Sequence, residues 1–441
     1  MDPETNITIL KSNILELPPS CIEFAPKVVD EGVEYLVVGT YHLHNEKTEN
    51  LAHSLGPNQQ SREGSLILFK ISNKELTLIR TIPYPSAILD LHFYNGHNTL
   101  AVASSTGTIS IFHLVKRAEI LDLQLVATHQ VAHKDILVLS LAWYPYTNAL
   151  QTGFPRLLFY SLSNGHVLAA GLSGDFKSFS ILNNGTPLII HDDNAWTCTA
   201  ASKILLSGGD DSMLRMARFD LHTPHDAENE FEFETILIDG SKIDPKDRSV
   251  TQSYLEGHNA GVTAIIFLPS PSTFNDDSFI LTGSYDDHVR IFKSTAGLWP
   301  KMSGVRKLTE LLVGGGVWRL KLMEAYPLSS ETDDQAWEYI VLASCMFAGA
   351  QILKIKGSYH GSWSIQVGAE MKIHQSMCYS CDAQPQRFSS EEEQRDLSSE
   401  GPAKTWTVAS SSFYDKLLVL WEWQDGSMAH WGNEGTEESK F

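Results

Sequence analysis

From Gly257 to Lys293 the chain runs through a Gly-His pair, an apolar stretch (VTAIIFLPS), a second one (SFILTGS), a tight acidic turn (YDD) and a third, alternating stretch (HVRIFK). The same order returns elsewhere. Related copies are AWTCTA with KILLSGGDDSMLRMARF, and SMCYSCDA with WTVASSSFYDKLLVLWEW. Fainter ones are SAILDLHF with NTLAVASSTGTISIF, ILVLSLAW with RLLFYSLSNGHVLAAG, GVWRLKL with YIVLASCMFAGAQILKI, and CIEFAP with YLVVGTY and GSLILFKI. First stretches begin near residues 20, 87, 137, 196, 261, 316 and 377, which makes seven units. A repeat constrains the fold more than any composition, because a short strand unit cannot bury both faces of its own sheet and must stack on its copies.

The unit resembles a WD repeat, in which a turn Asp lies six residues before the aromatic that closes the third strand. Asp211 to Ala217, Asp286 to Phe292 and Asp415 to Trp421 keep that step, and His258 precedes Asp286 at the distance where a His can bond that Asp. The same step back from Phe112 meets Thr106. The resemblance implies an all-β chain folded as a single seven-bladed WD-repeat β-propeller with expanded loops, residues 1–424, followed by an acidic tail over 425–441. The unit spacings exceed the roughly 40 to 45 residues of a compact blade. The excess falls at 42–63, 222–256, 324–337 and 383–404. The last of these is polar and charged and reads as a disordered insertion. TNITIL near the N-terminus has no first strand of its own and reads as the outer strand of the last blade.

Fifty-three acidic against 33 basic residues leave a formal charge of −20, which repels a phosphate backbone and attracts cationic partners. Nucleic acid is therefore not expected as a direct partner, nor is a membrane, since no run of about 18 apolar residues occurs. Five cysteines, Cys21, Cys198, Cys345, Cys378 and Cys381, are too few and odd in number for a disulfide framework. The start lacks a basic segment leading an apolar one. A soluble, cytoplasmic monomer is the expectation.

SGGDD (207–211), TGSYDDHV (282–289), GGGVWRLK (314–321) and SFYDKLLVLWEW (412–423), with GTY at 39–41, carry a narrower resemblance, to the diphthine methylesterase family of WD-repeat proteins. The similarity is strongest from about residue 190 to 423. It implies hydrolysis of the methyl ester of diphthine methyl ester on elongation factor 2 to give diphthine, a step of diphthamide biosynthesis, with no cofactor. The rival reading is a non-catalytic WD-repeat scaffold or substrate adaptor. No G-x-S-x-G elbow is present, so the α/β-hydrolase route is excluded.

The residues themselves leave several sites open. Asp211, Asp286 and Asp415 fit a structural turn role. Asp210, Tyr285 and Tyr414, one step earlier, are expected to project toward the face that carries the connections between blades. In GGGVWR, the glycines allow close approach of backbone and Trp318 and Arg319 follow at the channel end of a strand. Arg319 reads equally as a guanidinium holding an ester oxygen and as the partner of a blade acid. His288 is a candidate general base. His129 with His133, His42 with His44, and Cys378 with Cys381 have ligand-like spacing but no third or fourth ligand, so no metal is expected. The implied substrate carries a trimethylammonium group, which donates no N–H hydrogen bond and needs aromatic faces and carboxylates. Tyr285, Tyr414, Asp210 and Trp318 are expected to supply these around one mouth of the channel, with Arg319 at the ester end.

Overall fold

The computed structural model describes residues 6–26, 33–43, 62–117, 120–145, 156–201, 204–219, 236–238, 257–269, 278–294, 305–328, 336–384 and 404–425. They form seven antiparallel sheets, each a blade of a propeller, with no α-helix among the described residues. The inner strands of blades 1 to 7 are Pro19–Phe24, Ile88–Phe93, Val138–Trp143, Ala195–Ala201, Val262–Leu268, Arg319–Pro327 and Cys378–Ala383. Each touches the inner strand of the next blade, and the seventh touches the first, so the ring closes. The segments 44–61, 220–235, 239–256, 329–335, 385–403 and 426–441 lie outside the described residues, and with them most of the expected expansions and tail.

Alternation explains why these residues make blades. In Leu417–Gln424, the third strand of blade 7, Leu418 and Leu420 join the apolar cluster shared with blade 1, while Val419, Trp421 and Trp423 join the one shared with blade 6. Period-two side chains thus cover both faces of a sheet that is buried on both. Trp406, Trp421 and Trp423 are at most 1% exposed, and truncating a tryptophan so placed costs about 3–5 kcal/mol.

Strand Ile7–Ile14 is the fourth strand of blade 7, pairing antiparallel with Leu417–Gln424 from Ile7 opposite Trp423 to Ile14 opposite Leu417. Ile7 and Leu10 pack on the two clusters either side. The chain's two ends therefore meet in one sheet, which removes an exposed edge.

The turn acids tie blades together as the repeat implies, with one correction. Asp211 accepts from the Met213 and Asp192 amides and bonds His191 Nδ1 at 2.9 Å. Asp286 accepts from the Asn259 amide at 2.7 Å and from Arg290 at 2.9 Å. His258 bonds Thr282 Oγ1 at 2.9 Å, while the Asp286 carboxylate takes the Asn259 amide and Arg290. In blade 7, His374 bonds Ser410 and Ser412, and Trp421 Nε1 donates to Ser410. Burial drives His258 down to about 3 and His374 to about 4, so both imidazoles are neutral.

Candidate functional site

A backbone irregularity builds the site. In six blades the pairing of the first two strands skips the second residue of the inner strand: Ser20, Leu89, Leu139, Trp196, Thr263 and Tyr379. Such a bulge leaves its residue out of the ladder and re-aims the side chain. Trp318 holds the matching place in blade 6, its amide donating to Ser344 O at 2.8 Å. All seven side chains line one cavity of about 870 Å³ at the mouth of the channel.

The same bulge sets how Cys378 and Cys381 are buried. Strict alternation would bury one of them, but the extra residue between Cys378 and Ser380 restores the inward phase, and both are buried in one cluster.

One arc of the wall is aromatic. Trp318 contacts Tyr379 at 4.5 Å between ring centroids, Trp196 at 5.3 Å and Tyr285 at 5.6 Å. Tyr379 continues to Phe413 at 5.1 Å, and Phe413 to Tyr414 and Tyr41. Burial pushes the Tyr379 phenol up to about 12 and that of Tyr285 up as well, so both stay protonated.

The expected residues divide. Trp318, Arg319 and Tyr414 line the cavity. Asp210 does not line it; it stands behind the wall, accepting from Trp196 Nε1 at 2.5 Å and Asn194 Nδ2 at 2.9 Å. Tyr285 likewise sits between Trp196 and Trp318, off the lining. A Cβ at residue 261 would lie 2.9 Å from Asp210 Oδ1 and 3.1 Å from the Tyr285 ring, so Gly261 is what lets these two approach.

Tyr414 is not the counterpart of Asp210 and Tyr285. Their amides donate to Asn194 O and Gly261 O, ahead of the inner strand; in blade 7 the amide that donates to the matching Met377 O is Phe413's. The blade 7 turn is one residue longer, Ser411 facing Leu418 where Gly208 faces Leu214, and this moves Tyr414 outward to 68% exposure.

His288 is excluded from the site. It enters the third strand of blade 5, pairs with Leu312 on the outermost strand, bonds Asp286 O through Nδ1 at 2.7 Å, and is not on the cavity lining. The glycines of GGGVWR serve close packing: Gly314 has φ +82°, and a Cβ on Gly315 would fall 2.2 Å from Cys345 O. The two amides that follow, of Val317 and Trp318, are taken by Ser284 O and Ser344 O.

Arg319 is the partner of a blade acid and also reaches the cavity. Its Nη2 binds Asp90 at 2.8 Å across the channel, from blade 6 to blade 2, and the side chain still lines the cavity. Burial pushes the Asp90 carboxyl up, but Arg319 and His92 outweigh it and hold it below its ordinary value. Asp90 also accepts from the Leu141 amide of blade 3. Deeper in the channel His92 lies 3.0 Å from Glu23 and 3.4 Å from Asp90, and Lys321 2.9 Å from Asp382. Burial opposes the imidazolium, yet the carboxylates of Asp90 and Glu23 raise His92 above its ordinary value. Channel water reaches 40% of that side chain, which screens the effect.

The residues missed by sequence reasoning are Trp196, Tyr379, Phe413 and Asp90. Trp196 and Tyr379 had a signal: aligning AWTC, VWRL and CYSC puts an aromatic at the same place in three copies. Asp90 had none, because its partner lies 229 residues away.

The hydroxyls at the cavity floor are already engaged. Ser20 Oγ donates to Ile88 O at 2.6 Å and to Gly39 O, and Thr263 Oγ1 donates to Val317 O, each joining one blade to the next. Neither is poised as a nucleophile. What the cavity offers is an aromatic surface for a cation and an anchored guanidinium whose Nε and Nη1 make no hydrogen bond among the described residues.

The model of the WD domain, G-beta repeat, matches residues 249–293. The chain is 28% identical over 425 residues to a diphthine methyltransferase of Schizosaccharomyces pombe, covering 95% of this chain and 99% of that one. It is 25% identical to a diphthine methyltransferase of Saccharomyces cerevisiae, over 96% of this chain and 100% of the other. A Homo sapiens protein of the same name matches at 24% over 83% of this chain and 72% of its own. Among solved structures, a chain of "Crystal Structure of Mitotic Checkpoint Complex" superimposes with a TM-score of 0.52 over 96% of this chain and 97% of that chain, at 12% identity, a likeness of fold alone. Seven stacked blades and the repeat match over residues 249–293 show a seven-bladed propeller carrying a WD repeat, and the chain is similar end to end to these relatives.

Proposed function

We propose that this protein is a diphthine methylesterase, an enzyme of diphthamide biosynthesis that acts in the cytoplasm as a monomer on elongation factor 2. Water adds to the ester carbonyl carbon, the bond from that carbon to the methoxy oxygen breaks, methanol leaves with a proton, and the carboxylate of diphthine remains. The observation that carries the reading is the aromatic wall of Trp196, Trp318 and Tyr379 around the cavity. A trimethylammonium group binds such faces at roughly 0.5–2 kcal/mol per ring. Asp210 behind Trp196 adds to this, since a carboxylate accepting the indole N–H makes the ring more electron-rich. At the ester end Arg319, fixed by Asp90, has donors for the oxyanion that forms as water adds.

The name carried by the relatives describes methyl transfer, a second reading with the opposite direction. One experiment separates them. Methylated elongation factor 2 incubated with the purified protein should lose one methyl group by mass spectrometry and release methanol. Gain of a methyl group dependent on S-adenosylmethionine favours transfer instead, and neither change, with binding retained, favours a scaffold.

A further inference from the structure

One side of the cavity mouth carries apolar side chains that the site itself does not use. Ile14 and Phe347 are 78% and 76% exposed, Leu312 60% and Ile373 36%. All four lie on the face of the cavity. Ile14 ends its strand opposite Leu417, and Leu312 ends its strand opposite His288, both at the starts of third strands beside cavity-side turns. Phe347 sits in the blade 6 turn, and Ile373 follows the end of that blade's outer strand.

These residues belong to one continuous train of loops. A Cβ on Gly314, two residues after Leu312, would meet Ala348 beside Phe347 at 3.9 Å. Met346 bridges to Cys378, whose connector carries Ile373. Further along that connector, Ser376 accepts from the Tyr414 amide and the Gln375 amide donates to Asp415. The Leu15 amide, next to Ile14, donates to Lys416 O. Tyr414 belongs to both the arc and the cavity lining, so the two surfaces are continuous.

Ile14 and Leu312 stand on fourth strands, three strand spacings or about 14 Å outside the inner ones. That is beyond the reach of a small ligand held in the cavity. Across the mouth the rim is acidic: Asp192, 89% exposed, and Asp193 lie between blades 3 and 4, with Asp135 exposed between blades 2 and 3. A chain with a net charge of −20 repels a second copy of itself and attracts a basic partner.

We propose that the arc of Leu312, Phe347, Ile373 and Ile14 is the docking surface for the folded protein that presents the modified side chain. That partner seats an apolar patch on blades 5 to 7 and turns basic residues toward Asp192 and Asp193, which orients it over the cavity. Exposed aromatic and aliphatic anchors beside a charged rim are the composition of such interfaces. This rests on the proposed function in taking the substrate to be a protein.

The test uses methylated elongation factor 2 as the probe, with binding and hydrolysis read separately. The double variant Leu312→Asp/Phe347→Asp should weaken binding at least about tenfold by calorimetry, the loss expected when interface anchors go. The milder Leu312→Ala/Phe347→Ala pair should follow in the same direction. Turnover of a short peptide bearing diphthine methyl ester should stay within about twofold, since neither residue lines the cavity. Wild-type affinity in folded variants overturns the proposal, as does absence of binding by the wild-type chain or loss of a self-associated dimer in place of factor binding. If the variants lose binding while the wild type releases no methanol, the docking surface stands and the esterase reading falls.

Discussion

The seven positions that ring the cavity share a backbone device but not a chemistry. In blades 4, 6 and 7 the inward-turned residues are Trp196, Trp318 and Tyr379; in blades 1, 2, 3 and 5 they are Ser20, Leu89, Leu139 and Thr263. On the plain side, Ser20 and Thr263 spend their hydroxyls joining neighbouring blades. On the other side the rings touch one another and face the cavity. The fold therefore supplies equivalent places, and the residue type at each decides between holding the ring together and holding a ligand. Asp90 and Arg319 strap the two sides across the channel.

The seam where the sides meet is the most sensitive point. Deleting residues 1–12 strips Ile7 and Leu10 from two clusters and exposes an unpaired edge. Both side chains are partly buried, so against about 1.5–3 kcal/mol for a fully buried aliphatic side chain, denaturant unfolding should show a loss of up to roughly 3–6 kcal/mol. Unchanged stability would mean that blade 7 stands without its fourth strand.

The strap comes next. Asp90→Ala leaves Arg319 and His92 facing each other without their carboxylate, and removing one partner of such a buried pair costs about 3–5 kcal/mol. Channel water holds the expected value to the low end, about 3 kcal/mol. Adding Arg319→Met should return part of it; a fully additive double variant would show that the strap does not couple the two sides.

A smaller effect tests the difference between the sides directly. Trp196→Ala should raise KM for methylated elongation factor 2 about two- to thirtyfold, the worth of one cation–π face, while Leu139→Ala at the matching place in blade 3 should change it less than about twofold. Asp210→Asn should fall between them, with the fold intact. Equal responses at 139 and 196 would remove the cation site from the aromatic side.

The gentlest probe is pH. His92 has its folded pKa raised above the ordinary 6.5, so its stabilisation is complete below that value and is lost as pH rises through the folded pKa, near 10. His258 is shifted the other way, to about 3, so its stabilisation is present above 6.5 and lost as pH falls toward 3. His92→Asn should flatten the alkaline side of the stability profile, with a smaller change on the acid side because His92 also helps hold Asp90 below its ordinary value. An unchanged alkaline limb in that variant would contradict the assignment.

Much of the fold was legible because it rests on local pattern. Seven apolar first stretches near 20, 87, 137, 196, 261, 316 and 377 coincide with inner strands starting between Pro19 and Cys378, since period-two burial is written in neighbouring residues. The site was legible only in part. Trp318, Arg319 and Tyr414 reach the cavity, but Tyr414 was aligned one residue out of phase because turn length does not show in a motif, and His288, beside a cavity-side turn, stands on a third strand away from the lining.

By itself, then, the sequence determined the repeat, its number, the strand faces and the turn acids, all of which depend on residues close together in the chain. Tertiary structure alone decided which side chains enter the cavity. A one-residue bulge reverses the phase of everything beyond it, as Cys378 and Cys381 demonstrate, and no composition records where it falls. The pairing of Asp90 with Arg319 belongs to the same class: two residues on blades 2 and 6 become partners only when the ring has closed and brought opposite walls of the channel within 2.8 Å.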